Sequence, residues 1–112
     1  MTDFILVQTS SNSQDGAQRI ADAIIEKRLA GACWVSGPIA STYWWKGEIR
    51  QEQEWACSFK TRKELYGIIE QVLKEVNSVA AHSYEIPEIV ATPIVAGSQS
   101  FLDWIVQETK QE

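Results

Sequence analysis

A single histidine followed by acidic residues is the first candidate for chemistry in this sequence. His82 is the only histidine of the chain, Glu85 and Glu88 follow it closely, and Pro87 stiffens the segment. Imidazole nitrogen is a common ligand of copper and zinc, and carboxylate oxygens can complete such a site. The pattern therefore predicts a metal site at His82, Glu85 and Glu88. The alternative is a surface loop histidine or one that hydrogen-bonds a backbone carbonyl.

Aromatic residues near the tip of a predicted hairpin indicate a second site, one for a small molecule. Tyr43 and Trp45 alternate along one strand and therefore share a face. Aromatic walls with a few convergent polar groups are typical of small-ligand sites. The residues predicted to form such a pocket between subunits are Tyr43, Trp45, Lys60 and Tyr84, together with His82 and Glu88. The alternative for Tyr43 and Trp45 is packing at an interface without a ligand.

No recognised catalytic motif accompanies these residues. The sequence contains no phosphate-binding P-loop, no G-x-G-x-x-G turn, no H-E-x-x-H pair and no nucleophile elbow. We therefore expect no catalytic residues, no enzymatic activity and no organic cofactor. A hydrolase that uses His82 with Glu88 is kept as a third alternative.

The two cysteines are too few for a disulfide framework. Pairing across the predicted hairpin turn places Cys57 opposite Ser36 and Cys33 opposite Lys60, and a bulge would shift this register by one residue. Because the two thiols do not face each other directly, a disulfide within the hairpin is not expected. We expect both cysteines to be reduced and mostly buried.

Hydrophobic spacing predicts the elements that must position these side chains. A continuous apolar run at residues 4–9 is typical of a buried central strand. Gly31 is the expected C-cap of the first helix, and Thr61 with Glu64 the expected capping box of the second. Pro93 favours a sheet edge for the last strand. The predicted strands are residues 4–9, 32–45, 48–61 and 89–96, and the predicted helices are residues 14–30, residues 65–76 and a short one after Ser98.

The order β-α-β-β-α-β-α predicts an α+β fold, a ferredoxin-like βαββαβ plait with an extra C-terminal helix. Two helices would cover one face of a four-stranded antiparallel sheet and leave the other face bare. The predicted hairpin at residues 32–61 turns at Lys46-Gly47 and bulges near Gly37-Pro38, and its strands far exceed the usual length of about five or six residues. Trp44 and Ile49 share one face of it and are interpreted as core or interface residues. The bare face and the long hairpin predict self-association.

Composition limits the partners and the compartment. A length of 112 residues with 45% hydrophobic residues fits one domain over residues 1–112. The net charge is −5 and the basic residues are scattered, so no nucleic-acid partner is expected. No apolar run is long enough to span a membrane. The first residues lack the features of a signal peptide, which predicts a cytoplasmic protein.

Four segments of the chain resemble the signature of the CutA divalent-cation-tolerance family. They are STYWWKGEI at residues 41–49, Lys60-Thr61, HSYEIPEI at residues 82–89, and Gly97 with FLDWI at residues 101–105. The resemblance covers nearly the whole chain in matching order and spacing. It implies a ferredoxin-like fold assembled as a tight, PII-like homotrimer in which long hairpins pair between subunits. It also implies a role in metal tolerance, with copper as the favoured ion and no established reaction.

The sequence departs from that family at two proposed copper ligands. In some members a cysteine on the first strand and two consecutive histidines are the candidates, whereas this chain has Gln8 and Ala81 at two of these positions and keeps His82. We therefore expect a trimeric divalent-cation tolerance or metal-response protein that binds copper or another divalent ion weakly. The alternative is a PII-like sensor or scaffold that binds a small molecule or an anion in a pocket between subunits.

Overall fold

The computed structural model describes residues 3–79 and 86–111. Within these ranges the chain forms an α+β fold of four strands, three α-helices and one 3₁₀ turn. The elements are β1 (Phe4–Ser11), α1 (Gln14–Glu26), β2 (Cys33–Trp45), β3 (Glu48–Arg62), the 3₁₀ turn (Lys63–Leu65), α2 (Tyr66–Val79), β4 (Ile89–Ile94) and α3 (Gln99–Glu108). The predicted class and the predicted order of elements are confirmed.

The four strands form one antiparallel sheet in the order β2-β3-β1-β4. β1 lies between β3 and β4, as its continuous apolar run predicted, because a central strand contacts neighbours on both sides. β2 and β4 are the edges of the sheet. An edge strand tolerates Pro93, which has no N–H to donate to a ladder. β4 ends at Ile94, two residues before the predicted end.

One face of the sheet carries the hydrophobic core. Val7 of β1 and Phe59 of β3 are cross-strand partners on this face, and only 0% and 1% of their surfaces remain exposed. The helical residues that pack into the same cluster include Ile20 and Ile24 of α1 and Ile69 and Leu73 of α2. Both long helices therefore cover one side of the sheet.

The opposite side of the sheet, which we call the open face, lies away from α1 and α2. Leu6 and Lys60 are paired on it, because successive residues of a strand point to opposite faces. Trp34 of β2 and Val90 of β4 remain 68% and 47% exposed. The Lys60 ammonium lies 4.6 Å from the centre of the Trp34 ring, a cation–π contact across the two strands.

The end of α1 differs from the prediction. The helix ends at Glu26, and Arg28 rather than Gly31 adopts the left-handed conformation, with φ of 54°. The Leu29 N–H then donates to the Ile24 carbonyl at 3.0 Å, a bond typical of a helix end that is followed by a left-handed residue. Gly31 serves a different purpose, because a Cβ there would lie 2.8 Å from the ring of Trp104. The glycine lets α3 approach this connection closely.

The predicted capping box of the second helix is wrong. Thr61 remains in β3, fully buried, and its hydroxyl donates to the Leu29 carbonyl at 2.5 Å. The Glu64 carboxylate pairs with the guanidinium of Arg62 at 2.9 Å instead of reaching back to Thr61. Thr61 is buried against the segment that follows α1 and therefore does not cap the second helix. Helix α2 begins later, at Tyr66.

Candidate functional site

The β2–β3 hairpin extends well beyond the rest of the sheet. β1 makes its last pair with β3 at Ser11 and Trp55, so residues 48–54 of β3 pair with β2 alone. At roughly 3.3 Å per residue this length corresponds to roughly 23 Å. Lys46 and Gly47 form the turn with φ of 49° and 80°, the two positive values that a type I′ hairpin turn needs. The predicted turn is confirmed, and residues 39–54 are called the overhang below.

A bulge separates the overhang from the sheet. The register follows the predicted pairing at the tip, where Tyr43 lies opposite Arg50, and shifts between Ser36 and Ile39. Gly37 lies within this shift. A Cβ at Gly37 would lie 2.5 Å from the Trp55 ring and 2.9 Å from the Glu54 carbonyl oxygen, so the close approach of the ring requires glycine.

The bulge also corrects the predicted positions of the cysteines. Cys57 lies opposite Val35 and Cys33 opposite Phe59, one residue away from the predicted partners. Both thiols are free, but only Cys57 is buried, and Cys33 is half-buried because it lies on the edge strand. The two side chains share the core face as diagonal neighbours.

The contact between the two thiols separates their acidities. In the neutral pair the Cys57 thiol donates to the Ala17 carbonyl oxygen at 3.2 Å. A hydrogen bond from Cys57 to the Cys33 thiolate lowers the pKa of Cys33 below its ordinary value. The same contact, together with burial, raises the pKa of Cys57. The lower pKa and the greater exposure of Cys33 predict that it is the more reactive thiol.

Trp44 and Ile49 lie on the other side of the overhang from Tyr43. They are direct cross-strand partners, and they remain 71% and 61% exposed. Within the described part of the chain they do not belong to the hydrophobic core. Two large apolar side chains thus form an adjacent exposed pair on a two-stranded ribbon.

A cavity of about 550 Å³ lies on the other face of the overhang, where β1 ends. β2 and β3 supply alternate residues that share this face, among them Tyr43, Trp45 and Glu52. Ser10 and Asn12 enter the lining because β1 stops beside the base of the overhang. The segment that precedes β4 adds its own side chains, Ile86 and Glu88. Four separate stretches of the chain therefore meet at this cavity.

Carboxylates dominate the charge of the cavity. Among the residues that the structure describes, its lining contains three of them, on Glu52, Glu54 and Glu88, and one guanidinium, on Arg50, so their formal sum is −2. The Ser10 hydroxyl donates to Glu54 Oε1 at 3.2 Å, which fixes one carboxylate at the base. The cavity is therefore an anionic environment with aromatic walls.

Two polar groups limit what the cavity can bind, the Tyr43 hydroxyl and the side-chain oxygen of Asn12. Desolvation and a hydrogen bond to Glu52 raise the pKa of the Tyr43 hydroxyl, so the phenol stays protonated at neutral pH. The Oδ1 atom of Asn12 is buried and accepts no hydrogen bond from any residue in 3–79 or 86–111. A buried acceptor of this kind favours a ligand that brings an N–H or O–H donor.

The predicted pocket residues are only partly brought together. Tyr43, Trp45 and Glu88 line the same cavity, whereas Lys60 does not. Lys60 shares the face of Glu54 on β3 but lies six residues further along, or roughly 20 Å at the rise of an extended strand. Tyr84 lies outside the described residues, and its predicted place in the pocket stays a prediction.

Sequence reasoning missed several residues of the cavity. The pairing across the Lys46-Gly47 turn already placed Arg50 and Glu52 on the face of Tyr43, and this signal was available. Ser10 and Asn12 gave no such signal, because their position depends on the register between β1 and β3. That register pairs residues more than forty positions apart in the chain, and the sequence alone does not specify it.

The predicted metal site falls mostly outside the described ranges. His82 and Glu85 belong to residues 80–85, and only Glu88 of the three predicted ligands is described. In residues 3–79 and 86–111, no three His, Cys, Asp or Glu side chains are grouped so that they could hold a metal ion. The metal site at His82, Glu85 and Glu88 therefore stays a prediction. Gln8, which stands at the family's cysteine position, is exposed on the open face.

Comparisons with known proteins agree on one family. The family model described as CutA1 divalent ion tolerance protein matches residues 5–108. A divalent-cation tolerance protein CutA from Archaeoglobus fulgidus is 41% identical over 105 residues, which cover 94% of this chain and 95% of that protein. The chloroplastic protein CutA 1 of rice is 30% identical over 96% of this chain, but this chain spans only 58% of the rice protein.

Comparison of the fold with solved structures leads to the same family. The crystal structure of CutA1 from Oryza sativa superposes with a TM-score of 0.89 at 28% sequence identity, over 98% of this chain and 96% of that one. In the ranges 3–79 and 86–111, no helix is both long enough and apolar enough to cross a membrane.

Proposed function

This chain belongs to the CutA1 divalent ion tolerance protein family, and on that basis we propose that it acts as a trimeric tolerance protein that binds copper or another divalent ion weakly. The observation that carries the proposal is the family match over residues 5–108. The proposed role is binding or response rather than catalysis, and the proposed compartment is the cytoplasm. The rice relative is named as chloroplastic, so the compartment varies within the family.

The strand order supports the finer description of the fold. In the sequence β2-β3-β1-β4, each long helix connects two strands that are separated by one other strand. Two such split β-α-β units make a ferredoxin-like plait, with α3 as the additional helix. α1 and α2 on one side leave the open face for contact with other subunits.

Exposed apolar surface supports a trimer of identical chains. Trp34 and Val90 on the open face, and Trp44 and Ile49 on the overhang, are between 47% and 71% exposed. Large apolar side chains concentrated on one sheet face and one ribbon mark surfaces that become buried on association. The long edge strand β2 also offers unpaired backbone groups to a neighbouring hairpin.

The donor set supports weak rather than tight metal binding. His82 supplies the single imidazole of the chain, and Glu85 and Glu88 supply carboxylate oxygens. Gln8 and Ala81 stand where some family members are described as having further ligands. Copper prefers nitrogen and sulfur donors, so one imidazole with hard oxygens makes a poorer site than a thiolate with two imidazoles.

A copper titration of the metal-stripped protein tests this proposal. We expect calorimetry to detect one weak copper(II) site per chain, hence three per trimer, and His82→Ala to abolish it. Binding should weaken as the pH falls through the histidine range, because a protonated imidazole cannot bind metal. Asp22→Asn, which removes an exposed carboxylate of α1, is the matched control. Unchanged affinity in His82→Ala would exclude His82 as the ligand.

The cavity supports a second candidate function, a PII-like sensor or scaffold that binds a small molecule. Its volume of about 550 Å³ falls within the range of known small-ligand sites. Tyr43 and Trp45 provide aromatic walls, and polar groups from four chain segments converge on the same space. Among the described residues, the cavity and the predicted metal site share only Glu88, so variants of Tyr43 and Trp45 test this function separately from the metal site.

A further inference from the structure

We infer that the cavity at the base of the overhang binds a protonated organic amine, through its aromatic walls and its carboxylates. The inference rests on the second candidate function and names the chemical class of its ligand. It uses only residues of the described ranges: Tyr43, Trp45, Glu52, Glu88 and Asn12.

The charge of the cavity selects a cation over an anion. Among the described lining residues, three carboxylates against one guanidinium leave a formal sum of −2. The Glu48 carboxylate lies 4.0 Å from the Arg50 guanidinium and offsets its charge. The Lys46 ammonium lies 5.5 Å from the centre of the Trp45 ring, so the amine must use the other face of that ring or displace the lysine. An anionic ligand would face net repulsion in this space, whereas a cation would be attracted.

The described carboxylates of the cavity suit an organic cation. Glu52, Glu54 and Glu88 line one cavity, yet no three acidic, histidine or cysteine side chains in the described ranges come together as a metal site. Carboxylates arranged around a space of about 550 Å³ suit a cation that has a body of its own. An organic ammonium compound meets that requirement.

The aromatic walls suit the same ligand. The faces of Trp and Tyr rings attract ammonium groups, and their surfaces pack against apolar groups. Desolvation and the nearby Glu52 raise the pKa of the Tyr43 hydroxyl, so this wall is neutral. Ile86, which is 72% exposed, adds apolar surface for the rest of the ligand.

The buried oxygen of Asn12 selects an amine that carries N–H bonds. Its Oδ1 atom accepts no hydrogen bond within the described part of the chain. Less than 1 Å² of this atom is exposed, so the Asn12 side chain must rotate toward the cavity before a ligand can reach it. After that rotation a primary or secondary ammonium group can donate to it, whereas a quaternary ammonium group cannot. The ligand class is therefore a protonated primary or secondary amine with an apolar body.

Calorimetry with four matched compounds tests the inference on the full chain in its native assembly. The probes are 2-phenylethylamine, its trimethylated ammonium form, 2-phenylethanol and 3-phenylpropanoate. We expect the amine to bind about tenfold or more tightly than the alcohol, since the cation gains the ring and carboxylate contacts. The trimethylated form should fall between them, and the carboxylate should bind most weakly.

Variants locate the binding in the cavity. Glu52→Gln, Glu88→Gln and Trp45→Leu should each weaken binding of the amine at least about fivefold, because each removes a charge or a wall. Asp22→Asn is the control, since this exposed carboxylate lies on α1 and accepts a hydrogen bond from Gln18 at 2.9 Å. It should leave the affinity unchanged. Circular dichroism of each variant verifies that the fold is retained.

The outcomes separate this inference from the function on which it rests. Tighter binding of the alcohol or of 3-phenylpropanoate, lost in Trp45→Leu, would overturn the amine assignment and keep a small-molecule site. The absence of binding by any probe would overturn both. An equal loss in Asp22→Asn and Glu52→Gln would also overturn the inference, because the attraction would then come from overall charge.

Discussion

The four-stranded part of the molecule and the overhang are built from the same two strands but stabilised differently. In the four-stranded part, β3 pairs with β1 as well as with β2, and Phe59 is 1% exposed. In the overhang, β3 pairs with β2 alone, and Trp44 is 71% exposed. An isolated two-stranded hairpin is at best marginally stable in water. The first region is therefore held by its own chain, and the second presents surface that suits contact with other chains.

Removal of the Trp44 side chain should have the largest effect on stability and tests this difference directly. If Trp44 is buried in the proposed trimer, Trp44→Ala should cost about 3–5 kcal/mol of stability, the range for a buried large-to-small change. Sedimentation equilibrium should show dissociation at micromolar concentration, and thermal melting should show a lower midpoint. Gln51→Ala, at an exposed position of β3, is the control. An unchanged melting midpoint in Trp44→Ala would mean that this side chain stays exposed in solution.

A substitution at the bulge, which is the boundary between the two regions, should have an intermediate effect on stability. Gly37→Ala should destabilise the protein by about 1–3 kcal/mol, because the new Cβ would overlap the Trp55 ring and the Glu54 carbonyl. Gly67→Ala is the matched control, since no atom lies within 4 Å of a Cβ built there and the residue belongs to α2. It should stabilise by about 0.4–1 kcal/mol.

Denaturant unfolding measures the free energy of unfolding of the two glycine variants relative to the unsubstituted protein. Opposite signs of the change in unfolding free energy would support a tightly packed bulge that fixes the register of the overhang. Equal stability of Gly37→Ala and the unsubstituted protein would show that the bulge can rearrange without loss.

The smallest effect concerns the two neighbouring thiols on the core face. Cys33 should react with an aqueous alkylating reagent in the native protein, while Cys57 should react only after unfolding. The hydrogen bond from Cys57 lowers the pKa of Cys33. Cys57→Ala removes this donor, so the pH midpoint of Cys33 labelling should rise. Mass spectrometry of labelling rates between pH 6 and 10 measures the shift. A midpoint that stays constant or falls would contradict the proposed thiol contact.

Local patterns predicted the elements well because local forces determine them. The apolar run of β1, the helical spacing of α2 and the Lys46-Gly47 turn each depend on residues close together in the sequence. The bulge near Gly37 was also predictable, since proline cannot donate to a ladder. The class of fold followed from the order of these elements.

Long-range contacts explain the predictions that were wrong. Thr61 has the sequence of a capping residue, but the end of α1 lies above it and its hydroxyl bonds to Leu29 instead. Arg28 rather than Gly31 is the left-handed residue, and Gly31 instead makes room for the Trp104 ring. Neither contact is visible in the spacing of residues along one element.

The cavity shows the same limit. Tyr43 and Trp45 were predictable as neighbours on one face of the hairpin, and they do line it. Ser10 and Asn12 were not predictable as part of the cavity, because their position beside the overhang depends on the register between β1 and β3. Lys60 lies on the same face of β3 as the cavity but too far along the strand to line it. The alternation of side chains along a strand does not reveal that distance.

In the proposed trimer, the length of the overhang would also affect the order in which the structure forms. The helices and four paired strands can complete their contacts within one newly made chain, whereas residues 48–54 of β3 have only one ladder to close. In the proposed trimer, the ribbon would acquire its second set of neighbours only when copies meet. Chain concentration would then control how many ribbons are ordered, and a cell could regulate the surface that the ribbons form simply through the rate of synthesis.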